Sequence, residues 1–133
     1  LLPIKVGVAQ HEDVALSVLA TVISKNANFF ITDAGSKALT SDTGGHGMAS
    51  AQGFGMAYPC GRYLSPEHGL VVVGLSEEHG KIARADYDLE IGTQVRIIPN
   101  HSCPVANLAR EYTVLGGEGV VGTWPVDAAS NAI

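Results

Sequence analysis

Short runs of β-branched and aromatic residues, each broken by glycine or proline, recur along this chain. They limit its fold more than any other feature, because helical periodicity is scarce between them. "VALSVLATVISK", Val14 to Lys25, reads as a strand. "NFFITDAG" reads as a strand closing on Asp33-Ala34-Gly35, a turn in which Gly35 can adopt positive φ. "GLVVVGLSEEHGKI" reads as a strand, a break and a short strand. "GTQVRIIP" alternates, with Gln94, Arg96 and Ile98 on one face and Val95 and Ile97 on the other. "REYTVLGGEGVVGTWPVD" reads as a hairpin around Gly116-Gly117-Glu118-Gly119.

The remaining segments carry weaker patterns. "SKALTSD" fits either an extended piece or one helical turn. Thr43 to Gly61, with six glycines, reads as loop. "PVANLAREY" is the one convincing helix, with Pro104 suited to its first turn. The sum is about seven short strands and one helix, which predicts a mainly β fold: a small barrel or sandwich with one or two short helices. The 133 residues fit a single domain with a real core.

Composition removes several functions. The net charge of −5 supplies no basic stripe for phosphates, so nucleic acid is excluded as an expected partner. No apolar run approaches the ~20 residues of a membrane span. Two cysteines, Cys60 and Cys103, do not make a disulfide scaffold, although one bridge between them stays open; the expected setting is cytoplasmic, with reduced thiols. The start, "LLPIKVGVAQHED", lacks a Met and a signal-peptide layout, and reads as if cut from something longer.

One stretch carries chemistry. In "RIIPNHSCPVANL" an apolar strand breaks at Pro99-Asn100 and is followed by His101 and Cys103. If the backbone stays extended, positions i and i+2 project to one side, and an imidazole and a thiolate converge. Zinc accepts both, at ~2.0–2.1 Å from nitrogen and ~2.3 Å from sulfur. Two protein ligands would leave open positions, the catalytic arrangement. The plainer alternative is a buried free Cys beside a His that caps a helix, and the spacing alone favours it. In "SEEHG", Glu77, Glu78 and His79 are able to serve as ligand, base or orienting acceptor, against the plainer reading of a solvated acidic turn. "SPEHG", Ser65 to Gly69, repeats the pattern, which shows how cheaply such turns arise. Lys37 invites a Schiff-base role, but nothing gives it a lowered pKa or a carbonyl partner, so an exposed or ion-paired lysine is expected. Nucleotide-binding glycine fingerprints, phosphate loops, zinc-protease helices and serine-hydrolase turns are all absent from the sequence.

Taken together, "TDAGSKALTSD", "SEEHG", the G-x-x-V-R-I-I-P-N-H-S-C-P-V-A-N-L run and "TWPVD" resemble the C-terminal domain of the D-threonine aldolase and D-serine dehydratase-like enzymes. These are pyridoxal-phosphate enzymes of the alanine-racemase fold type. The resemblance runs from about Ala15 to Asp127. It implies a divalent metal on His101 and Cys103, with the cysteine leaning toward zinc and toward the dehydratase side. It implies neighbouring catalytic roles for Glu78 and His79. It further implies an N-terminal barrel of ~200 residues or more that holds the cofactor on a lysine; the lysines here, Lys5, Lys25, Lys37 and Lys81, lie in the wrong region for that task. One departure stands out: after "WPVDA" the family often continues with a basic residue and Gly, and this chain reads Ala129-Ser130-Asn131.

The expectation is therefore a single β-domain, residues 1–133, from a larger homodimeric lyase. Its substrate would be a D-β-hydroxy amino acid, cleaved by dehydration or by retro-aldol reaction, with the metal acting on the β-hydroxyl. The chain by itself is expected to be inactive. Two alternatives remain: a non-catalytic β-domain for dimerisation or small-ligand binding, and a purely structural zinc site.

Overall fold

The alternation read in "GTQVRIIP" decides which way the sheet faces. Val95 and Ile97 are fully buried, whereas Gln94 is exposed and Arg96 is half-buried on the opposite face. The structure, a computed structural model, describes residues 1–44, 52–61 and 66–129. Six strands close into an antiparallel barrel in the order β1-β2-β5-β4-β3-β6. They are β1 Val18–Lys25, β2 Phe29–Thr32, β3 Gly55–Pro59, β4 Leu70–Leu75, β5 Gly80–Ala83 and β6 Gln94–Pro99. β1 and β4 each shift register once, between Val22 and Ser24 and between Val72 and Gly74. Such bulges bend a strand enough for a sheet to turn back on itself. The fold is thus mainly β, and of the two architectures expected it is the barrel.

Ala20, Val22, Phe30, Ala57, Leu70, Val72, Ile82, Val95 and Ile97 form its core. An eight-stranded barrel is only just wide enough for side chains to fill its interior. Six strands enclose less, so chemistry belongs to the ends of this barrel rather than to a lumen. Leu39 joins the same core from α2 (Ser36–Leu39), the "SKAL" segment, which is one helical turn.

Three sequence expectations change. The Thr43–Gly61 segment contains β3, a strand paired on both sides, to β4 and β6; residues 45–51 of it lie outside the described residues. Its glycines serve close approach: a Cβ on Gly53 would sit 2.2 Å from the Val72 carbonyl oxygen, and one on Gly55 2.5 Å from that of Ile98. Gly35 has φ −106°, so its role is not a left-handed turn. The helix after β6, α3, runs over Ser102–Leu108 rather than from Pro104. Pro104 still falls in the first turn, where its missing N–H costs nothing. The chain leaves the helix at Ala109 because Tyr112, Thr113 and Val114 pair with Trp124, Thr123 and Gly122. That pairing builds the expected hairpin, β7 (Glu111–Gly116) and β8 (Gly119–Pro125), as a separate two-stranded sheet. A four-residue helix, α1 (Leu2–Lys5), and short 3₁₀ turns at His11–Asp13 and Pro66–His68 complete the described elements. No helix among the described residues is long and apolar enough to cross a membrane.

Candidate functional site

Antiparallel pairing gathers the candidate residues at one end of the barrel. Pro99 at the end of β6 lies opposite Gly55 at the start of β3. Leu75 at the end of β4 lies opposite Gly80 at the start of β5, which in turn faces Thr32 at the end of β2. This rim therefore carries residues 33–44 and 52–54, the Ser76–His79 turn and the segment after Pro99. His101 and Cys103 belong to the last of these, Glu78 and His79 to the turn.

α2 stands between the two groups. Its first N–H groups bond to the turn, Ser36 to the Ser76 carbonyl at 2.8 Å and Lys37 to the Glu77 carbonyl at 3.1 Å. On its other side it packs against α3. Gly35 makes the approach possible, since a Cβ there would lie 2.4 Å from the Glu77 carbonyl oxygen.

The turn is solvated. Ser76, Glu77, Glu78 and His79 are all exposed, and the Ser76 hydroxyl accepts the His79 N–H at 3.1 Å. Lys37 pairs with Glu78 and, at 3.4 Å, with Glu77. The hydrogen bond to Glu78, and next that to Glu77, hold the lysine ammonium above its ordinary range. A Schiff-base lysine needs the opposite shift, so the expected ion-paired lysine is what the structure shows.

His101 is the N-cap of α3, with extended backbone at φ −126° and ψ 114°. Cys103 is already helical, so the side-by-side projection argued from an extended chain does not apply. The pair instead straddles a strand-to-helix corner. The plainer alternative holds only in part, since His101 stands at the N-cap and Cys103 is a free thiol. The His101 imidazole makes no capping bond. It meets Asp42, Nδ1 to Oδ2 at 2.8 Å. Cys103 is exposed and, like Cys60, a free thiol. His101 keeps 36% of its side-chain surface. Both groups are open to solvent.

An imidazole and a thiol are a nitrogen and sulfur donor set that suits zinc. With Nδ1 engaged by Asp42, the imidazole has Nε2 to offer. No group of three or more His, Cys, Asp or Glu that could hold a metal occurs among the described residues. A four-ligand structural site is therefore not assembled by them, whereas a two-donor site with open positions is compatible. An apolar cleft of about 230 Å³, lined by Ile4, Val14, Ile98, Pro99 and Ser102 among others, borders the same corner without including His101 or Cys103.

Asp42 ends the "TDAGSKALTSD" run, but nothing in that run marks it as a partner of His101. Its local signature, an Asp whose carboxylate accepts the Gly44 N–H at 2.7 Å, marks only a turn. Its partner lies 59 positions away.

Comparison with known proteins adds three findings. Residues 15–115 match the family described as "Putative serine dehydratase domain". Among curated proteins, the chain is 40% identical over 129 residues to D-threo-3-hydroxyaspartate dehydratase of Delftia sp. (strain HT23), covering 90% of this chain and 33% of that one. It is 31% identical to D-serine dehydratase of Dictyostelium discoideum, covering 88% and 31%. It is 32% identical to an uncharacterized protein of Mycobacterium tuberculosis, covering 94% and 91%. The chain thus spans about a third of the dehydratases and nine-tenths of the mycobacterial protein. Among solved structures, an alanine racemase-like protein from Idiomarina loihiensis superposes with a TM-score of 0.80 at 36% identity, covering 92% of this chain and 34% of that one. The Delftia dehydratase superposes at 0.77 with 38% identity, covering 90% and 34%. That enzyme is also known as alanine variants of a histidine and of a cysteine two positions on, the latter in a metal-free form.

Proposed function

Because this chain belongs to the serine dehydratase domain family, we propose that it is the metal-bearing β-domain of a pyridoxal-phosphate-dependent lyase acting on D-β-hydroxy amino acids. The observation that carries the reading is the barrel-rim corner where His101, fixed through Nδ1, and Cys103 are both open to solvent. The same spacing in the Delftia dehydratase, where the cysteine variant is metal-free, supports it.

His101 Nε2 and the Cys103 thiolate would hold the metal; the cysteine leans toward zinc, and by the family resemblance toward the dehydratase side, with retro-aldol cleavage as the other lyase reaction open to the site. When bound, the metal supplies Lewis acidity toward a substrate hydroxyl, and the cofactor of the barrel domain supplies an electron sink. This chain's own residues present that corner to the substrate. α2 seals the barrel end with Leu39, so the rim is a firm floor. His79 and Glu78, across α2, take the neighbouring role. Glu78 is held by Lys37, and its use as a proton acceptor requires that pair to open. The exposed His79 needs no such rearrangement.

The cofactor barrel, homodimerisation and a cytoplasmic setting complete the proposal. The hairpin supports the first two, since Leu115, Val120, Val121 and Trp124 are each more than 60% exposed and apolar surface of that kind asks for a cover. Free Cys60 and Cys103 support the third. The test is a lyase assay of the protein together with its cofactor barrel on D-serine and D-threonine, before and after chelation and with zinc restored. Loss on chelation, recovery with zinc and inactivity of His101→Ala are expected. Turnover unmoved by the chelator would reject the reading.

A non-catalytic β-domain is a second reading, and one observation favours it. The chain spans nine-tenths of the M. tuberculosis protein, which leaves no room in that chain for a barrel of ~200 residues. A dimer or a ligand complex without lyase activity on either substrate would select it.

A further inference from the structure

We propose that Asp42 is the positioning residue of His101: its carboxylate holds the Nδ1–H tautomer and so reserves Nε2 for a metal. The inference rests on the metal reading above, but its first observable does not.

The contact is built from both sides. On one side, Asp42 Oδ2 lies 2.8 Å from His101 Nδ1. Asp42 Oδ1 accepts the Gly44 N–H at 2.7 Å, and the Asp42 N–H donates to the Thr40 hydroxyl at 3.3 Å. The carboxylate is thus aimed by its own loop. That loop begins at Thr40, a β-branched residue at φ +59°, a conformation such residues rarely adopt. It ends at Gly44, φ +70°, where a Cβ would sit 3.1 Å from the Asn100 carbonyl and from His101 Cβ. Glycine suits this position, since a side chain would meet both a positive φ and a tight approach to the strand end.

On the other side, the backbone that carries His101 is fixed by Asn100, which is buried. Its N–H reaches the Phe54 carbonyl at 3.3 Å, and its amide donates to the Gly53 carbonyl at 3.0 Å. Loop and strand end are therefore held separately, and the carboxylate meets the ring as a result. A ligating histidine that gives its second N–H to a carboxylate is fixed in tautomer and orientation and is a more basic ligand. A merely structural ion pair would need no particular ring nitrogen.

The experiment compares the purified wild-type protein with Asp42→Ala and Asp42→Asn. The first readout is the His101 tautomer in the metal-free protein, from long-range ¹H–¹⁵N correlations at a pH where the ring is neutral. The expected result is Nδ1–H in wild type and Nε2–H in both variants: in Asp42→Asn the side-chain oxygen stays on the Gly44 N–H, and the amide NH2 then faces Nδ1 and donates to it. The second readout is cobalt(II) affinity, followed by the thiolate charge-transfer band of Cys103. Asp42→Ala should weaken it about 10- to 100-fold, with an unchanged circular dichroism spectrum. An Asp42→Ala protein that keeps the wild-type tautomer overturns the proposal, as does one that keeps the wild-type affinity. A wild-type protein that takes up no cobalt sinks the metal reading instead, and the tautomer then decides alone whether Asp42 positions the ring.

Discussion

Lys37, on α2, and His101, at the start of α3, show how neighbouring carboxylates set what a side chain can do. Glu78 and Glu77 keep the lysine charged and thereby remove it from carbonyl chemistry. Asp42 occupies one nitrogen of the imidazole and leaves the other. The first arrangement depends on Gly35, whose missing side chain lets α2 touch the Ser76–His79 turn. Gly35→Ala would force a methyl into the Glu77 carbonyl, and overpacking of that kind costs about 1–3 kcal/mol. The expected result is a lower melting temperature together with loss of the Lys37–Glu78 pair, seen as a fall of the Lys37 pKa toward its ordinary value by NMR titration. At this scale the sequence displayed the reactive groups, His101, Cys103, Glu78 and His79, because their identities and spacing are local. It hid the pairing of Asp42 with His101, because a contact made across 59 positions leaves no periodicity to read.

Among the elements, the two β-sheets differ in how they are held. Barrel strands are paired along both edges around a shared core. β7 and β8 are paired only to each other, and an isolated hairpin is marginal in water. Amide hydrogens of Tyr112–Leu115 and Val120–Trp124 should therefore exchange well before those of Val95–Ile98, measured by hydrogen–deuterium exchange. Equal protection in the two sheets would contradict this picture. The hairpin was legible because its turn is marked by glycines, and β6 because it alternates. β3 was not, since "GFGMAYP" carries its strand among glycines that serve close approach to Val72 and Ile98. The start of α3 was also missed. Helical backbone begins at Ser102, before the proline that signals it, so Cys103 sits on a helix rather than on a strand.

Across the whole molecule the two ends of the barrel do different work. The rim described above gathers the candidate residues, while the opposite end is clamped by charge. Lys25 of β1 meets Asp88 at 2.7 Å and Glu90 at 3.2 Å, and Arg84 meets Asp88 at 2.6 Å. The hydrogen bond to Lys25 is the main cause that holds Asp88 below its usual 3.8. Its contribution to stability is accordingly present above that pH and is lost as pH falls through the lowered value. Lys25 is held above its usual 10.5, chiefly by its hydrogen bond to Asp88, so its share is intact below that pH and is lost as pH rises through the raised value. Both groups are exposed enough that the effects are small. Asp88→Asn should lower neutral stability slightly and flatten the acid limb of a stability–pH curve by the same small amount, leaving stability at the acid extreme nearly unchanged, as checked by thermal melts from neutral to acid pH.

The central claim is that His101 and Cys103 bind a metal at an open corner of the barrel. Zinc K-edge X-ray absorption of the metal-loaded protein tests it most directly. The account predicts one sulfur at ~2.3 Å, one imidazole nitrogen at ~2.0–2.1 Å and the remaining positions filled by light atoms from outside this pair. It predicts further that the sulfur shell disappears in Cys103→Ser. A zinc shell without sulfur, or a spectrum that Cys103→Ser leaves unchanged, would contradict it.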